Sequence, residues 1–93
     1  MLRRKGDPPL ILIVDDDEDI RKTATTILML DGYTVQEAEN GQIALHLLST
    51  GEFSPDLIVS DIAMPFVDGY RFFEGVRQIT RLRFVPFIFL TAY

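Results

Sequence analysis

Ninety-three residues are enough for one small domain and too few for two. With 47% hydrophobic and 25% charged residues, the chain has the balance of a globular domain, not of a disordered or fibrous segment. A net charge of −5 argues against direct binding to nucleic acid or anionic lipid, and the lack of cysteine excludes disulfides and thiolate metal sites.

The basic start (Arg3, Arg4, Lys5) before an apolar run imitates a signal peptide. However, acidic residues 15–19 stand where a cleavage site would fall, and the apolar run 8–14 is far too short to span a membrane. Residues 1–8 are therefore expected to form a flexible tail and residues 9–93 the domain. A cytoplasmic location fits the absence of cysteine.

Leu10–Val14 is a continuous Ile- and Val-rich run, as expected of a strand covered on both faces. Ile20, Ala24, Ile27 and Leu28 then recur at helical spacing, with acidic residues ahead of them and Gly32 beyond. Residues 33–38 read as a second strand, interrupted by Gln36 and Glu37. Asn40-Gly41 signals a turn before a short helix, 42–49, that buries Ala44, Leu47 and Leu48. A loop with Gly51 and Pro55 leads to a third buried strand, 57–60. Asp61 opens a loop broken by Pro65, and Asp68 caps a helix to about Ile79 whose Phe72, Phe73, Val76 and Ile79 face inward. Phe87–Leu90 is a fourth strand, entered by Pro86. The order βαβαβαβ predicts an α/β fold: a parallel sheet with helices on both faces and right-handed crossovers.

Asp15, Asp16 and Asp17 directly follow the first strand, and Asp61 follows the third. If these strands are neighbours, the acidic tips meet in the crevice at the carboxyl end of the sheet, where doubly wound folds bind ligands. Carboxylates a few ångströms apart repel in a partly desolvated site, and a hard divalent cation relieves them. Mg²⁺ suits an all-oxygen set of one or two carboxylates with retained waters. A single Asp triplet is more simply a helix cap, and Asp17 fits that role or a solvated one. A second aspartate at another buried strand end shifts the balance toward a metal site.

The runs LILIVDDDED (10–19) and VSDIAMPFVDG (59–69), with ENG (39–41) and FLTA (89–92) in order, resemble the landmarks of the response-regulator receiver domain over residues 10–93. The resemblance implies a flavodoxin-like sheet of order 2-1-3-4 and a phosphoacceptor module of a two-component phosphorelay, a signalling domain and not an enzyme. By matching position, Asp61 would take the phosphoryl group from a histidine kinase or phosphotransfer protein. Asp16 would bind Mg²⁺ directly, Asp15 largely through water, and Ala63 through its backbone carbonyl. Thr91 would be the switch hydroxyl. Ala63 departs from the polar side chain common at its position and cannot help orient an attacking water. His46 reads as a solvated surface residue.

A complete receiver continues past the fourth strand with a helix, a lysine-ending strand and a last helix. The resemblance therefore implies a receiver lacking its C-terminal part, impaired in phosphorylation and switching, and able to form a homodimer through an exposed fourth strand or a bare sheet face. Two other readings stand beside this one: a Mg²⁺-dependent phosphohydrolase with an aspartate nucleophile, and a self-associating structural fragment. A nucleotide-binding domain is disfavoured, since the six glycines form neither G-x-G-x-x-G nor a P-loop.

Overall fold

The structure, a computed structural model, describes residues 6–90. Four strands, β1 (Leu10–Val14), β2 (Thr34–Ala38), β3 (Leu57–Asp61) and β4 (Phe87–Leu90), alternate with the helices α1 (Glu18–Leu30), α2 (Gly41–Ser49) and α3 (Gly69–Gln78). The sheet is wholly parallel, in the order β2-β1-β3-β4. Each helix starts where a side chain meets an orphan N–H: Asp17 accepts from Ile20 at 3.1 Å, Asn40 from Ile43 at 2.8 Å and Asp68 from Arg71 at 2.9 Å. Asp17 is thus a cap.

β1 lies at the centre, and Ile11, Leu12, Ile13 and Val14 are all buried, as its unbroken apolar run predicts. Period-two alternation sends Leu12, Val14 and Ile58 to one face. There they form the core with Ala44 and Leu48 of α2 and Phe72 and Val76 of α3. Gly75 lets α2 and α3 approach closely, since a β-carbon there would stand 2.8 Å from a methyl of Leu45.

The opposite face carries α1, which packs on β1 and β2. The spacing of Ile20, Ala24, Ile27 and Leu28 predicts four inward residues, but α1 has none that is buried. Ala24 and Leu28 are half-buried, whereas Ile20 and Ile27 are 47% and 57% exposed. Among the described residues α1 is the only helix on this face, and no other described element packs on its side away from β1 and β2. Ile88 and Leu90 of β4 are exposed on the same face for that reason.

A 3₁₀ turn, Thr80–Leu82, not signalled by hydrophobic periodicity, joins α3 to β4. Leu82 enters the core, and Arg81 ties the turn to the end of α2 and the loop after it through the carbonyls of Leu48 and Phe53 and the Ser54 hydroxyl. Among the described residues no helix is long and apolar enough to cross a membrane.

Candidate metal and phosphoacceptor site

β1 and β3 run side by side with Val14 opposite Ser60, so Asp15, the next residue after β1, emerges beside Asp61, the last residue of β3. The sequence puts Asp61 at the start of a loop; the structure keeps it in the ladder, opposite Leu90. One carboxylate oxygen from each of Asp15, Asp16 and Asp61 lies within 4.8 Å of the others. Asp15 is buried, Asp61 half-buried and Asp16 exposed, which gives a site open on one side.

Asp15 is held at every polar atom of its backbone. Its N–H donates to the Ala38 carbonyl at 3.2 Å, and its carbonyl accepts from Arg21 Nη1 at 2.8 Å. Its carboxylate Oδ1 accepts from the Asp17 N–H at 2.9 Å. Asp61 Oδ1 accepts from the Ile62 N–H at 2.8 Å, which fixes the rotation of that carboxylate.

The loop after Asp61 folds back beneath it: the Gly69 N–H donates to the Ile62 carbonyl at 2.7 Å, and Met64 is buried. Phe66 takes a φ of 68° while the Val67 N–H donates to the Pro65 carbonyl at 2.8 Å, a tight three-residue turn. Ala63 lies on this loop and is exposed, and its backbone carbonyl is the one oxygen it has for a cation. Thr91 lies outside the described residues; it follows Leu90, the register partner of Asp61.

The electrostatics agree with the crowding. Burial pushes the Asp15 carboxyl above the usual carboxylate range, and the charges of Asp61, Asp16 and Asp17 push it further, against the stabilising Asp17 N–H. Arg21 and Lys22 could neutralise the cluster, but their cationic groups bond Glu37, Arg21 Nε at 2.9 Å and Lys22 Nζ at 3.2 Å. Burial raises the Glu37 carboxyl, but the hydrogen bonds and charges of Lys22 and Arg21 outweigh it and hold the group below its ordinary value. Among the described residues no cation bonds the carboxylates of the three aspartates. Three hard oxygen donors, uncompensated and open to water on one side, fit a divalent cation of the Mg²⁺ kind.

Arg21 and Glu37 were not legible as parts of this neighbourhood in the sequence. Glu37 reads there only as an interruption of the second strand. Its partnership with Arg21 depends on the register that sets it beside Ile13.

The profile of the family described as "Response regulator receiver domain" matches residues 11–93. The chain belongs to that family. This receiver is 40% identical over 82 residues to the "Probable transcriptional regulator ycf29" of Porphyra purpurea, covering 88% of this chain and 38% of that protein. To "Response regulator Rre1" of Synechocystis sp. it is 37% identical over 88 residues, 94% of this chain and 37% of that one. Among solved structures, the Vibrio cholerae chemotaxis protein CheY4 matches with a TM-score of 0.84 at 34% identity, over 92% of this chain and 70% of that chain. The receiver spans less than half the length of either regulator. The β2-β1-β3-β4 order is the flavodoxin-like order expected of the family.

Proposed function

We propose that this receiver is a phosphoacceptor of a two-component phosphorelay, that Asp61 carries the phosphoryl group, and that a histidine kinase or phosphotransfer protein in the cytoplasm supplies it. The observation that carries the reading is the convergence of Asp15, Asp16 and Asp61 within 4.8 Å at the tips of two adjacent strands. Mg²⁺ would be held by these three side chains and the Ala63 carbonyl, and when bound it supplies neutralising charge to the phosphoryl oxygens. The remaining work falls to the chain. A carboxylate oxygen of Asp61 bonds the phosphorus in line as the phosphorus–nitrogen bond of a phosphohistidine breaks, and the departing imidazole takes up a proton. The Ile62 N–H keeps the Asp61 carboxylate in one rotation for that attack. The hydroxyl of Thr91, one residue past the strand partner of Asp61, would then bond a phosphoryl oxygen.

The described residues bring no cation to Asp61, since Arg21 and Lys22 are engaged by Glu37. With no described cation beside Asp61, a low yield with a small donor is expected. The test is incubation with labelled acetyl phosphate and Mg²⁺, followed by borohydride trapping and peptide mapping. A substoichiometric, Mg²⁺-dependent label at Asp61 is expected. Label that is absent, or that persists in Asp61→Asn, would overturn the assignment, and a stable stoichiometric adduct would overturn the impairment alone.

A second reading concerns assembly. Among the described strands β4 pairs only with β3, and its Ile88 and Leu90 are 47% and 44% exposed. An edge strand flanked by apolar side chains can recruit another chain, and on this reading we propose a homodimer through β4 or this face. Multi-angle light scattering that finds only monomer at tens of micromolar, roughly where exposed apolar surface associates, would remove it.

A further inference from the structure

Arg21 occupies an unusual place for a surface-helix cation. Its side chain is only 12% exposed, lies one turn into α1, and reaches back to the end of β1. The guanidinium uses two edges: Nε bonds Glu37 Oε1 on β2 at 2.9 Å, and Nη1 bonds the backbone carbonyl of Asp15 at 2.8 Å. It does not bond a carboxylate of the acidic cluster. The planar fork thus spans from β2 to the peptide that joins Asp15 to Asp16, the link from which the exposed carboxylate of the cluster projects. The next anchor toward β2 lies in the preceding peptide, whose Asp15 N–H bonds the Ala38 carbonyl.

We propose that Arg21, braced by Glu37, is a positioning residue that fixes the Asp15–Asp16 peptide so that the two carboxylates meet Asp61 at a divalent cation. The proposal rests on the metal-site reading above and adds to it a residue that touches neither metal nor phosphate. Groups of this kind, one bond removed from the ligands, typically change metal affinity by roughly ten- to a hundredfold when removed.

Charge and position predict opposite outcomes, which makes the test sharp. Were Arg21 merely a nearby positive charge, removing it would tighten cation binding, and lysine would serve as well as arginine. As a positioning fork, it cannot be replaced by glutamine or by lysine, because neither spans both Glu37 and the Asp15 carbonyl. The experiment is Mn²⁺ titration of the 93-residue chain, read by electron paramagnetic resonance of the free ion, with metal-free thermal unfolding followed by circular dichroism. Wild type, Arg21→Gln, Arg21→Lys and Lys22→Gln are compared. Lys22 shares Glu37 but makes no bond to Asp15, and its side chain is 59% exposed.

The expected result is Mn²⁺ binding weakened about tenfold in both Arg21 variants and unweakened in Lys22→Gln. Equal or tighter binding in the folded Arg21 variants would overturn the proposal while leaving the metal site intact. No binding by the wild type would remove the metal-site reading and the proposal with it. Should Arg21→Gln fail to fold, Arg21→Lys decides alone: weakened binding supports positioning, and wild-type binding overturns it.

Discussion

Gly69 lies directly against the backbone of Asp61. Its N–H holds the Ile62 carbonyl, and a β-carbon added to it would collide with the Asp61 carbonyl oxygen and stand 2.8 Å from Ile62 Cα. Both obstacles are backbone, so neither can swing away. Gly69→Ala must therefore push the tip of β3 or the start of α3. The expected cost is about 1–3 kcal/mol of stability, with weaker divalent-cation binding because Asp61 moves. Urea unfolding and Mn²⁺ titration check both, and an alanine variant as stable as wild type would contradict the packing.

The acidic cluster sets stability against binding. Asp15 is buried beside Asp16 and Asp61, and its carboxyl is raised in the fold by burial and then by its charged neighbours. A carboxyl raised on folding favours the folded state when protonated, and this contribution fades as pH rises through its folded value. Asp15→Asn keeps an oxygen for the Asp17 N–H and removes a charge. In the absence of divalent metal it should stabilise the fold at neutral pH by about 1 kcal/mol, or about 4–8 °C in Tm for a domain of this size. The advantage should shrink as the pH drops toward the ordinary aspartate value of 3.8. Adding Mg²⁺ should reverse the order, since the wild type gains more from it. A variant less stable than wild type without metal would show that repulsion is not the dominant effect.

The sequence carried the fold wherever local physics and tertiary packing agree. Leu10–Val14 and Phe87–Leu90 coincide with β1 and β4, Asp68 caps α3 as read and Asp17 caps α1, the first of its two readings, while Asn40, read only as a turn signal, caps α2. The meeting of Asp15, Asp16 and Asp61 was legible for a different reason: a parallel sheet sends every strand's carboxyl end to one edge. The order that makes β1 and β3 neighbours came instead from the family resemblance. Two features were not legible. The exposure of Ile20 and Ile27 depends on what covers the far side of α1, which helical spacing cannot report. The Arg21–Glu37 pair joins residues 16 positions apart through strand register, and neither residue type at its place suggests the other.

Phe66 is a local conflict between residue and backbone. Its φ of 68° lies in the region that favours glycine and asparagine, and its ring is 80% exposed, so little packing compensates. Phe66→Asn should therefore raise stability by about 0.5–1 kcal/mol. Metal binding should be unchanged, because the loop bonds from Val67 to Pro65 and from Gly69 to Ile62 are backbone to backbone. Chemical denaturation reads the gain, and a loss of stability would mean that the ring makes contacts worth more than the relief of strain.

Glu37 gives the opposite pH dependence to Asp15, although both are carboxylates at the same end of the sheet. Burial raises its carboxyl, but the bonds and charges of Lys22 and Arg21 prevail and lower it. A carboxyl lowered on folding contributes stability above its unfolded value, and that contribution is lost as pH falls through the folded value. Glu37→Gln should accordingly cost about 0.5–1 kcal/mol at neutral pH, a figure kept small because solvent screens the partly exposed Lys22 bond. The deficit should close as the pH falls below the ordinary glutamate value of 4.5, where the wild type loses its ion pairs too. Plotted against pH, the stability differences of Asp15→Asn and Glu37→Gln from wild type should both approach zero in acid, one from above and the other from below. Curves of the same sign would mean that the cations of α1 compensate the aspartates and not Glu37, contrary to the bonds that hold Arg21 and Lys22.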